Sequence, residues 1–142
     1  MMKVLIAVDG SEHSDRAIEA VGRMTKDIPE LKSVLLNVRE GPIYRGEFPV
    51  FDPESMDELQ RRRQNELLQA ALVRAEQCGL RNVTTQAAVG SAAVEIVRLA
   101  AEHAADQIAM GTRGVTLLGG LLLGSVAQQV IQKTTIPVLL VK

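Results

Sequence analysis

Five short apolar runs constrain this chain more than any other feature: Lys3 to Val8, Ser33 to Val38, Asn82 to Val89, Asp106 to Met110 and Pro137 to Val141. Lys3 to Val8 (K-V-L-I-A-V) has no alternation of apolar and polar residues, which fits a strand buried on both faces, as in a parallel sheet. Between the runs lie segments of helical period. After Asp9-Gly10, Ser11 has the chemistry of an N-cap, and Ala17, Ile18, Ala20, Val21 and Met24 form an apolar stripe. Pro29 marks the turn into the second run. Ser55 and Glu58 have capping-box spacing before a long helix to about Cys78, with Leu59, Leu67, Leu68, Ala71, Leu72 and Ala75 on its inner side and Gly79 as its stop. Ser91 is placed to cap a helix through His103 that carries Ala92, Ile96, Val97 and Ala100 inward. Ser125 to Thr134 reads as the fourth helix.

Strand and helix alternate throughout, which argues an α/β fold: a three-layer, open, five-stranded parallel sheet with helices on both faces, Rossmann-like in plan. The more polar Asn82 to Val89 belongs nearer a sheet edge. Residues 1–142 are expected to form a single domain, long enough to bury a core without disulfides or a structural metal. Aromatics are only 2% of the sequence, so that core must be aliphatic.

Several function classes fall away on composition. The net charge of -1 gives no basic field for a nucleic-acid backbone, so no nucleic-acid partner is expected. No window approaches the roughly 18 apolar residues of a membrane span. The single Cys78 cannot form an internal disulfide, and a reduced, cytoplasmic setting is expected. Its place near a helix end reads as inert. His13 and His103 have no partner at metal or acid-base spacing and read as surface residues, while Arg61, Arg62 and Arg63 read as a solvated helix face. No metal site and no catalytic arrangement can be read.

Two loops stand out. Between Arg39 and Pro53 the pattern lapses, with Gly41, Pro42, Gly46, Pro49 and Pro53 interrupting it and Tyr44, Phe48 and Phe51 inside it; long βα connections of this kind are usually functional. The second, Ala109 to Lys133, holds five of the eleven glycines and runs from a strand end to a helix start. Glycine is needed at positive φ or where another molecule approaches the main chain closely. Gly111, Gly114 and Gly124, with Ser125 next, therefore suggest amides gathered over a helix N-terminus, a place that favours anions. In open α/β sheets ligands sit beyond the carboxyl ends of the strands, where Asp9, Val38 and Gly111 fall. The apolar Leu117 to Leu123, broken by Gly119 and Gly120, reads as cover for that site or as a subunit contact.

Other phosphate sites do not match. A Walker loop needs a Gly-Lys pair, which the sequence lacks, and the turn after the first run lacks both the dinucleotide fingerprint and a Thr-rich phosphate loop. A receiver-type acid pair is missing as well. What remains is Gly111-x2-Gly114-x9-Gly124-Ser125, which resembles the G-x2-G-x9-G-[ST] motif of the universal stress protein family without departure. The resemblance spans the chain, through V-L-I-A-V-D-G-S-E-H-S, A-A-D-Q-I-A-M-G-T-R-G, G-S-V-A-Q-Q-V-I and P-V-L-L-V.

That resemblance implies the ATP-binding branch and an adenine nucleotide alpha hydrolase-like fold. It implies that Ala7, Val8 and Asp9 line the adenine and ribose, that the Val38 backbone reads the adenine edge and that Met110 covers the base. Gly111, Thr112, Arg113 and Gly114 would follow the ribose and phosphates, and Gly124, Ser125 and Val126 would hold the phosphates. The expected ligand is ATP or AMP, with Mg²⁺ arriving on the nucleotide. A regulatory stress protein with little or no turnover is expected, against a slow ATP-hydrolysing enzyme or an interaction module with a vestigial pocket. Family members commonly pair the last strand across a two-fold axis, so a homodimer through Val138 to Val141 is expected.

Overall fold

The computed structural model describes residues 1–41, 53–112, 115–117 and 120–142. Along them run β1 (Lys3–Ala7), α1 (Glu12–Met24), β2 (Lys32–Arg39), α2 (Pro53–Gln77), β3 (Asn82–Val89), α3 (Ala92–Glu102) and β4 (Gln107–Gly111). The short β5 (Val115–Leu117) and β6 (Gly120–Leu122) follow, then α4 (Ser125–Lys133) and β7 (Val138–Val141). One sheet holds five strands in the order β3-β2-β1-β4-β7, and every pairing in it is parallel. The expected architecture is present, with the polar β3 at an edge. β5 and β6 pair antiparallel in a separate hairpin, Val115 opposite Leu122, within the stretch that reads from sequence as a loop.

The unbroken apolar runs have their cause in two cores. Val4, Ile6 and Val8 enter a core with α1 and α2, whereas Leu5 enters a second core with α3 and α4. On β4 the same division sends Ala109 to the first and Ile108 and Met110 to the second. Successive strand side chains point to opposite faces, so a strand covered on both has no solvent face for polar residues. Leu5, Ile6, Leu35 and Ile108 have no exposed surface. Each such burial contributes about 1.5–3 kcal/mol.

The helices depart from expectation in places that packing explains. α1 starts where expected, the Ser11 hydroxyl accepting from the Ser14 amide at 3.3 Å. α2 begins at Pro53, so Ser55 lies inside its first turn and does not occupy the cap that its spacing with Glu58 implies. Proline suits a first helical position, where its fixed φ is helical and its missing N–H has no partner to lose. Leu59, expected on the inner side, is 38% exposed, while Leu68, Ala71 and Ala75 face the core. The first turns of α2 are held by polar contacts instead: Arg39 donates to Asp57 at 2.8 Å and to Gln60 at 3.1 Å. The Arg39 guanidinium holds the Asp57 carboxyl below its ordinary pKa. Arg61, Arg62 and Arg63 are exposed as expected, the first two pairing with Asp57 and Glu58 one turn earlier. His103 is half-buried, not on the surface, and its Nε2 pairs with Gln86 Oε1 of β3.

α1 and the end of α2 meet without clearance. A Cβ on Gly22 would lie 2.6 Å from the Cys78 carbonyl oxygen and 2.8 Å from its Cβ. Burial pushes the Cys78 thiol above its ordinary pKa, in keeping with an inert thiol. Gly22→Ala should therefore lower stability by about 1–3 kcal/mol through overpacking, seen as a lower urea midpoint at unchanged m-value. A midpoint equal to that of the wild type would mean that the two helices part easily.

Candidate functional site

Strand order reverses between β1 and β4, because the chain builds outward from β1 to β2 and β3 and then returns to place β4 and β7 on the other side. A crevice forms at the carboxyl ends of the strands at such a point. Here it is a cleft of about 300 Å³.

The β1 wall is a knotted turn. Gly10 has φ +82°, which glycine adopts without strain, and it lets Asp9 fold back. Asp9 Oδ1 accepts from the Ser11 amide at 2.9 Å, and the Asp9 amide donates to Ser14 Oγ at 3.3 Å. Ala7, Val8, Asp9, Ser11 and Ser14 all line the cleft.

The β2 wall carries Leu36 and Val38, and Glu40 follows them at the strand's end. Val8 donates its amide to the Leu36 carbonyl at 2.8 Å. Strand alternation turns the Val38 amide and carbonyl to that same side, where β1 has already ended, so they face the cleft. Behind this wall lies a buried polar clamp. Asn37 Nδ2 donates to the Val8 carbonyl at 2.7 Å, and Gln64 of α2 brings Nε2 within 2.9 Å of the Asn37 carbonyl and 3.0 Å of the Ala88 carbonyl. Both side chains are more than nine-tenths buried.

The β4 wall is built by two backbone bonds. The Thr112 amide donates to the Val141 carbonyl at 3.0 Å, and the Thr112 carbonyl accepts from Gly124 at 2.9 Å. The second bond sets the start of α4 beside the end of β4. Thr112 is 3% exposed, and among the described residues its Oγ1 has no hydrogen-bond partner. Gly124 is the N-cap and brings no side-chain cap, and the first turn of α4 holds no acidic residue, so its free amides and dipole are not offset from within the helix.

Ten of the twelve residues expected at the site line this one cleft: Ala7, Val8, Asp9, Val38 and Met110 with Gly111, Thr112, Gly124, Ser125 and Val126. Arg113 and Gly114 lie outside the described residues, as does the loop Tyr44 to Phe51. Sequence reasoning missed Ser11, Ser14, Leu36, Asn37 and Glu40, and the contributions of Ala92 and Ile96 from α3 and of Ala127 from α4. Leu36 and Glu40 were within reach, two residues either side of Val38; the α3 residues depend on packing across the sheet and leave no local signal.

Of the two reasons for glycine that the sequence suggests, positive φ does not apply to Gly111 or Gly124. A Cβ on Gly111 would lie 2.5 Å from the Cβ of His13 and 2.8 Å from its backbone carbon, so the first turn of α1 excludes a side chain there. His13 is accordingly half-buried, and not the surface residue its sequence position suggests. Among the described residues no group of three or more His, Cys, Asp or Glu is placed to hold a metal, and no helix is long and apolar enough to cross a membrane.

A parallel sheet with a helix N-terminus over its switch point is the plan on which α/β proteins bind anionic ligands. The family model described as "Universal stress protein family" matches residues 1–142. A universal stress protein of Thermus aquaticus is 37% identical over 143 residues, spanning 98% of this chain and 97% of its own. The solved structure of the hypothetical protein MJ0577 is 32% identical with a TM-score of 0.78, covering 99% of this chain and 94% of its own. That of a universal stress protein in complex with cAMP is 25% identical with a TM-score of 0.71, covering 99% and 95%. This chain belongs to the universal stress protein family.

Gln64→Leu tests the clamp. It keeps the bulk but removes the Nε2 donor that Asn37 Oδ1 and the Asn37 and Ala88 carbonyls share, and should cost about 1–3 kcal/mol in urea unfolding. An unchanged midpoint would mean that water serves those groups equally well.

Proposed function

We propose that this protein is an adenine-nucleotide-binding universal stress protein of the ATP-binding branch, a single domain over residues 1–142 whose nucleotide state regulates a stress response in the cytoplasm. ATP or AMP occupies the cleft at the sheet's switch point. The observation that carries this reading is the start of α4, with no acidic residue or side-chain cap of its own, set beside the buried, unpartnered Thr112 Oγ1. An anion there gains both donors at once. The dipole alone contributes about 0.3–2 kcal/mol, well short of the roughly 8 kcal/mol of a micromolar ligand, so several amides must converge.

Each wall has a part. Ala7, Val8 and Asp9 line the adenine and ribose, the Val38 backbone reads the adenine edge, and Met110 covers the base. Gly111, Thr112, Arg113 and Gly114 follow the ribose and phosphates, which Gly124, Ser125 and Val126 hold. The relative solved with cAMP supports a nucleotide in this cleft. Mg²⁺ comes on the phosphates. Asp9 and Glu40 are the acids that line the cleft, and among the described residues no group of acids is placed to hold a metal that would bridge the phosphates, so turnover is expected to be slow or nil.

Native mass spectrometry of freshly purified protein should show the added mass of an adenine nucleotide, and Gly124→Val should weaken ATP at least tenfold by placing a side chain over the first-turn amides. Unliganded protein whose affinity is unmoved by that change would instead favour an interaction module with a vestigial pocket. Steady phosphate release abolished by Asp9→Ala would favour the hydrolase.

The protein also pairs with itself. β7 is an edge strand whose four residues are only half-buried, and an apolar edge is a pairing hazard unless covered. Pro137 and Val141 accept from the Ile108 and Thr112 amides, so Val138 and Leu140 turn their amides outward. Light scattering at tens of micromolar protein should give a dimer mass for the wild type and a monomer mass for Leu140→Pro, which removes an outward amide. A monomeric wild type would overturn this pairing.

A further inference from the structure

The cleft is chemically divided. Leu36, Val38, Ile96 and Met110 make one part apolar, and Ser11, Ser14, Thr112 and Ser125 make the other polar. Glu40 breaks the division, since it lines the cleft just beyond Val38. Leu36 and Val38 both pack toward α3 and α4, so alternation by two keeps Glu40 on that face. Its neighbour Arg39 points the other way, to Asp57 and Gln60 of α2, and does not neutralise it. Glu40 is exposed and has no ion pair or hydrogen bond among the described residues. β2 and β4 are separated by β1, about 10 Å at two strand spacings. The carboxylate thus stands away from the α4 anion site and at the apolar part, where a base would lie.

We infer that Glu40 is the residue that selects the base, its carboxylate accepting a hydrogen of an exocyclic amine on the six-membered ring. This rests on the nucleotide reading above. An adenine amine has two hydrogens; the Val38 carbonyl takes one and Glu40 takes the other. Guanine presents a carbonyl oxygen at that position, and three acceptors would then face one another. Among the described residues nothing pairs with the Glu40 carboxylate, so its replacement should leave the fold intact.

The test is calorimetric titration of wild type, Glu40→Ala and Glu40→Gln with ATP, with purine riboside triphosphate, which lacks the amine, and with GTP. Glu40→Ala should weaken ATP about tenfold, as expected for losing a hydrogen bond to a charged group, while leaving the amine-free analogue within twofold. Glu40→Gln keeps one acceptor oxygen and should fall between. The preference for ATP over GTP should narrow in Glu40→Ala. If the ATP loss exceeds the analogue loss by less than threefold, Glu40 does not read the amine, and the nucleotide reading still stands. Wild type that binds none of the three overturns both. Equal melting temperatures of the three proteins confirm that the comparison is between folded forms.

Discussion

The burial of β1 on both faces and both edges is the constraint from which the rest follows. β1 pairs with β2 and β4, and its side chains fill both cores. A strand held on four sides cannot shift its register without moving apolar side chains out of two cores at once. Its end is therefore a fixed point. Asp9, Ser11 and Ser14 knot the chain there, and the opening between the β1 turn and the β4 loop becomes a cleft of defined walls.

Polar contacts finish what the aliphatic cores cannot. Asn37 and Gln64 are buried where an apolar pair would pack without desolvation, and their worth lies in geometry. Three carbonyls on three elements, from Val8, Asn37 and Ala88, converge on two side-chain amides. Only one placement of α2 over β2 and β3 satisfies them. Arg39 adds a second tether one and two turns earlier on α2, through Gln60 and Asp57. The β2 wall of the cleft is thus held from behind, and the Val38 main chain keeps its edge turned to the opening.

How far the sequence announced this depends on how local each cause is. The five strands were legible because burial on both faces removes polar alternation from runs such as K-V-L-I-A-V. The polar β3 could be assigned to an edge for the converse reason. Helix starts were harder: Ser11 caps α1 through its own hydroxyl, but the Ser55–Glu58 spacing was outweighed by Pro53 two residues earlier. Asp9, Val38 and Gly111 of the cleft lining were legible from their places at strand ends, and the rest of the expected lining followed from the family resemblance. What stayed hidden was set by contacts between distant elements, such as Gln64 reaching β2 and β3, Ile96 reaching the cleft from α3, and His13 packing on Gly111.

That last contact changes what the glycine motif means. Gly111 is required by the first turn of α1, whatever the cleft contains. A glycine fixed by packing persists in a protein that has lost its ligand as readily as in one that has kept it. Gly124 is different, since φ -58° is open to any residue and its side chain, if it had one, would stand at the N-terminus of α4. Thr112 is different too, because a buried hydroxyl without a partner costs free energy that a ligand could restore. The weight of a nucleotide-binding reading in this chain therefore rests on Thr112 and Gly124, joined by one backbone hydrogen bond, more than on the spacing by which the motif is recognised.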